Sequence, residues 1–153
     1  MEARKIAYHF VGSKLRDGRD VPPDGVWLEH NGPVRICERG LHASFDPFDA
    51  LLFAPGEILC KVEVDEIVDS SQADKFVCRR RRIIARLDAT QLLRKFARDQ
   101  AMSVSHLWNV PSVVLKYLKT GDETLREAAW YAARDTFNLA VKNAFAAIEG
   151  EVI

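Results

Sequence analysis

The chain has 153 residues, 48% of them apolar and 29% charged, with 22 Lys plus Arg balanced by 22 Asp plus Glu. Such a chain suits one globular domain that buries roughly 70% of its unfolded surface, and its neutral balance argues against a global field that draws in nucleic acid or anionic membrane. Cys37, Cys60 and Cys78 are widely spaced and odd in number, so reduced thiols are expected rather than a disulfide framework. The first residues carry no apolar signal region and no run is long enough to span a bilayer, which points to the cytoplasm.

In chain order, Lys5 to Val11 alternates Ile6, Tyr8 and Phe10 with Ala7, His9 and Val11, the period of a strand. Gly12 to Gly25 is a loop rich in Gly, Pro and charge. Val26 to His30 and Val34 to Cys37 flank Asn31-Gly32, a strong hairpin signal, with Pro33 tolerable at the start of an edge strand. Gly40 then precedes His42 and Ser44, which point to one side if that segment is extended. Asp46-Pro47 starts a short helix, Asp49 suits its positive end, and Pro55-Gly56 stops it. This corner reads as a phosphate or nucleotide site at a helix N-terminus, or as a loop that hydrogen-bonds to itself.

Ile58 to Val68 and Phe76 to Leu87 read as two long strands joined by the polar turn Asp69 to Asp74. The first carries Glu63, Asp65 and Glu66, and the second carries Arg79, Arg80, Arg81 and Arg82. Antiparallel pairing sets these charges opposite each other, so the arginines read as half of a charge-matched hairpin; acidic neighbours weaken a nucleic-acid stripe. The nucleic-acid stripe is the sharper alternative, and contacts from Arg79, Arg80, Arg81 and Arg82 to a nucleotide's phosphates are a third possibility.

The character changes at Asp88, which caps a helix running to about Trp108. Asn109-Val110-Pro111 breaks it, a second helix runs to Lys119, and a third spans Asp122 to about Glu149. In the last, Trp130, Ala133, Phe137, Val141, Ala144 and Ile148 recur at helical spacing, as an intramolecular core or as a dimer seam. The expected fold is a single α+β domain, β-rich over 1–87 and helical over 88–153, with an antiparallel sheet of about five strands, one short helix and three C-terminal helices.

No paired ligands announce a metal site, and neither a Gly-x-Ser-x-Gly elbow, a Walker loop nor a Gly-x-Gly-x-x-Gly run occurs. His9 in an early strand, the segment from Gly40 to Ser44, and Glu63 in a later strand stand in the order used by ADP-ribosyltransferases. That resemblance implies an enzyme using NAD, with His9 holding a ribose, Ser44 supporting the pocket and Glu63 polarising the reacting sugar. Lys61 stands where such enzymes often carry Glu or Gln.

A closer resemblance rests on Glu29 to Gly32, Val34 to Ser44, Asp46 to Leu51, Ala54 to Gly56, the strand around Cys60 and Glu63, and Arg81 to Ala85. These residues resemble a family of uncharacterised phage and prophage proteins with a Cys-x4-His-Ala-Ser/Cys signature, over roughly residues 5 to 125. No activity follows from it. Its setting implies an accessory protein of the host cytoplasm that blocks a host-defence complex by binding a protein partner. The working surface is then expected at the His42 corner or on the terminal helices. Sequestration of a nucleotide by His42, Ser44 and the arginines is the further alternative.

Overall fold

The computed structural model describes residues 4–150 of the chain. They divide into two compact units, one ending at Thr90 and the other starting at Gln91, close to the change of character at Asp88. The fold is α+β, and its strands are β1 (Lys5–Val11), β2 (Trp27–Glu29), β3 (Leu41–Ala43), β4 (Ile58–Asp69) and β5 (Phe76–Asp88). The helices are α1 (Pro47–Leu51), α2 (Thr90–Ser103), α3 (Ser112–Thr120) and α4 (Arg126–Gly150). No described helix is long and apolar enough to cross a membrane.

The five strands form one antiparallel sheet in which β4 lies between β1 and β5, and β2 and β3 both pair with the other edge of β5. Strand alternation decides what each face buries. Ala7 opposes Val62 and His9 opposes Cys60, while Val64 opposes Lys5 on one side and Arg81 on the other. Ala7, Cys60, Val62, Val64 and Ile83 are thereby turned into the core, joined there by Leu41, Ala43, Phe76 and Cys78.

β4 and β5 are long, and their ladder slips between Lys61 and Val62 and again between Ile67 and Asp69. Glu66 takes a left-handed φ of 52° just before the second slip. Such bulges bend a strand and increase its twist, and here the sheet curls. Ser44, directly after β3, donates its amide N–H to the Tyr8 carbonyl at 3.0 Å and accepts from the Tyr8 amide at 2.8 Å. The path β1-β4-β5-β3 therefore returns to β1.

The expected hairpin about Asn31-Gly32 does not form. Residues 34–37 make no strand; Arg35 and Arg39 exchange both main-chain hydrogen bonds around a turn in which Cys37 has a φ of 67°. β2 pairs instead with Arg80 to Arg82 of β5, and the His30 amide continues that ladder to the Arg79 carbonyl. His30 folds its ring back toward the Pro33 carbonyl at 3.1 Å. A long-range strand with an open edge has outcompeted the local turn.

In the second unit α2 stops at Ser103, earlier than expected, and a short 3-10 turn covers Ser105–Leu107. Gly121 closes α3 with a φ of 66°, its N–H donating to the Tyr117 carbonyl. Asp122 caps the next turn through the Thr124 amide at 3.0 Å. Val114 and Ala129 are buried where α3 meets α4, whereas Phe137, Phe145 and Ile148 of α4 are exposed.

Candidate functional site

Within the sheet unit lies a cavity of about 460 Å³. β1 supplies Tyr8 to Val11 and the loop after it Lys14 to Asp17. The turn and strand from Cys37 to Ser44 form another wall, with Phe53, Pro55, Lys75 and Arg81 completing it. His9, His42 and Ser44 meet in this one cavity. Glu63 does not.

Glu63 opposes Ile6 in the ladder, whereas His9 shares its face with Ala7 and Val62. The carboxylate thus sits on the other side of the sheet from the imidazole. There it accepts from the Arg82 Nε at 2.6 Å and faces the Arg4 guanidinium at 3.5 Å. The trio expected for ADP-ribosyl transfer is not assembled.

The four arginines separate in the same way. Arg80 pairs with Asp65 at 3.3 Å and Glu29 at 3.1 Å, and Arg82 pairs with Glu63. Both guanidinium groups flank the Trp27 ring, with carbons 4.7 and 4.9 Å from its centroid. This is the charge-matched hairpin expected from the sequence. Arg79 donates to the Gly32 carbonyl at 3.0 Å and steadies the loop after β2.

Arg81 alone of the four enters the cavity. Its residue is 6% exposed, and Nη1 donates to the His42 carbonyl. Among the described residues no carboxylate forms an ion pair with it. Sequence reading grouped it with its neighbours, yet one signal was present: Arg81 stands two residues before Ile83, on the parity that faces inward.

His42 has a structural task. Its Nε2 accepts the Cys37 amide N–H at 3.0 Å, which ties the left-handed turn to β3. Cys37 and His42 are therefore linked through a main-chain amide rather than through the thiol. Burial first, then the cations Lys75, Arg81 and Arg16, hold the His42 imidazole below its ordinary range against the opposing Gly40 carbonyl. The expected helix mouth is closed in a similar manner, since Asp46 Oδ1 accepts the Phe48 amide at 2.7 Å. His42 thus bonds the loop to itself, as one of the two expectations for this corner had it, whereas among the described residues the Ser44 side chain does not.

Among the described residues the His9 ring and the Ser44 hydroxyl make no side-chain hydrogen bond, and no buried side-chain nitrogen or oxygen is left without a partner. His9 and Ser44 both line the cavity. Burial, then the nearby Arg81 and His42, push the His9 pKa well below its ordinary 6.5. The two buried thiols carry no comparable chemistry: burial raises Cys60, and raises Cys78 to about 11, far from the thiolate a nucleophile needs.

The His9 shift has a measurable consequence. Its folded pKa lies below the unfolded value near 6.5, so below that pH the unfolded chain binds more protons and stability falls. The loss starts near pH 6.5 and deepens until folded His9 titrates; His42, shifted in the same direction, adds to it. Asp17, Asp69, Asp88 and Asp122, held below 3.8 chiefly by hydrogen bonds, stay ionised in this window. The sheet unit is expected to lose about 1 kcal/mol between about pH 7.5 and about pH 5.5 in urea titrations, and His9→Asn to remove most of that loss.

By fold and site this is an α+β protein whose sheet half encloses a cavity with a buried cation. The chain belongs to the family described as Domain of unknown function (DUF7666), whose family model matches residues 5–95. That span takes in the sheet unit and the start of α2 and stops short of residue 125, where the resemblance was expected to end. No curated protein and no solved structure matches the chain.

Proposed function

We propose that the chain is a binding protein rather than an enzyme, and that its working site is the Arg81 cavity, which holds a small anionic ligand of the phosphate type. One observation carries this reading: a guanidinium almost removed from water has no carboxylate partner among the described residues. Burying an unpaired charge costs several kcal/mol. Serving one carbonyl does not require a charge, because a neutral donor does the same at lower cost. An anion entering beside Arg81, in the space that His9 and Ser44 also line, supplies the missing partner. In the phage setting that the resemblance implies, withdrawing such a ligand in the host cytoplasm blocks a defence complex that depends on it. Titration with inorganic phosphate at constant ionic strength is expected to raise the melting temperature of the sheet unit progressively. A melting temperature that ignores phosphate, with no heat of binding in calorimetry, sinks the proposal.

A second reading, a protein partner on the terminal helix, is favoured by the exposure of Phe137 at 68%, Phe145 at 61% and Ile148 at 60%. Apolar side chains this exposed and this clustered mark an association surface. A second copy of the chain is the simplest occupant. Light scattering then returns twice the 17.3 kDa chain mass, falling to one chain in a Phe137→Ser, Phe145→Ser double variant.

A further inference from the structure

The cations of the cavity stand at two depths. Arg81 is buried, Lys75 is half-buried, and Arg16 and Arg39 are exposed on two separate loops. Other cations of those loops are already neutralised: Lys14 by Asp20 at 2.9 Å, Arg19 by Asp17 at 2.6 Å, and Arg35 by Glu38 at 3.2 Å. Among the described residues, Arg16, Arg39 and Lys75 form no ion pair. A chain with equal numbers of acids and bases thus converges three unpaired cations on the opening of a space that holds a fourth.

The size and lining of that space add a second constraint. A volume of about 460 Å³ lies in the range that encloses an organic ligand, roughly 300–1,000 Å³, and a lone phosphate leaves most of it unfilled. Apolar side chains, Val11, Leu15 and Leu41, line it as well. The Phe53 ring also faces it, with the Lys75 ammonium 4.1 Å from the ring centroid.

Resting on the anion-binding reading above, we propose that the ligand is a nucleoside diphosphate or a closely similar organic diphosphate. One phosphate sits against Arg81 and the other is held by Arg16, Arg39 and Lys75 at the opening. The organic part takes the apolar wall beside Phe53. Two anionic groups match two tiers of cation, which a single phosphate or a carboxylate does not.

Calorimetry of the full chain with inorganic phosphate, inorganic diphosphate, AMP and ADP tests this. ADP is expected to bind about tenfold or more tighter than AMP, the worth of one added charge-assisted contact, and also tighter than inorganic diphosphate. Arg39→Gln with Lys75→Gln, both at the opening, is expected to bring ADP down to the AMP level while phosphate binding persists. ADP no tighter than AMP, or no tighter than inorganic diphosphate, overturns the diphosphate assignment and leaves the anion site standing. So does an ADP affinity untouched by the double variant. Failure of all four ligands, phosphate included, overturns the site itself.

Discussion

A Gly40→Ala chain is expected to lose about 3–5 kcal/mol of stability in its sheet unit, enough to leave it largely unfolded if that unit sits low in the usual range of about 5–15 kcal/mol. Two costs add. The backbone at Gly40 has a φ of 116°, a region that side chains resist, and holding a non-glycine residue there costs about 1–3 kcal/mol. A Cβ at this position would also stand 2.5 Å from Val77 Cγ2 and 2.9 Å from Val34 Cγ1. Val77 is fully buried, so it has nowhere to retreat, and overpacking of this kind costs about 1–3 kcal/mol. Gly18 provides the control. Its φ of 84° is strained for alanine too, but a Cβ there meets nothing within 4 Å, and Gly18→Ala should lose only the backbone cost. Urea unfolding followed by circular dichroism separates the two, and equal losses would refute the packing argument.

Arg81→Met is the second large effect, and its sign in stability matters as much as its effect on binding. Phosphate binding should disappear, since the variant keeps the shape of the side chain and discards its charge. The free protein should remain within about 1 kcal/mol of the parent, because two terms oppose each other. The His42 carbonyl loses the Arg81 donor, at a cost of about 1–3 kcal/mol. Removing an unpaired buried charge in favour of an apolar chain of similar volume returns a comparable amount. An arginine kept only for architecture behaves otherwise: its loss would destabilise the unit by several kcal/mol in the absence of any ligand. Paired urea titrations and phosphate calorimetry of the same variant therefore distinguish a cation held for a guest from one held for the fold.

The sequence made local features legible and long-range ones less so. Asp46, Gly121 and Asp122 cap their elements as read, because each cap is an interaction within three or four residues. The charge match of Glu63 with Arg82 and Asp65 with Arg80 was legible for a similar reason: one turn joins the two strands. The Asn31-Gly32 hairpin misled, since β5 offers β2 a partner some fifty residues away that no local window contains. His9 and Glu63 were grouped by strand order, and only the ladder register separates them onto opposite faces. Arg16, Arg39, Lys75 and Phe53 went unnoticed, because four distant segments meet only once the sheet curls.

The return of Ser44 to Tyr8 is made by main-chain groups alone. That closure of the sheet therefore depends on backbone groups rather than on the identity of the side chains. Substitutions among the inward-facing side chains can reshape the space between the strands without breaking that closure.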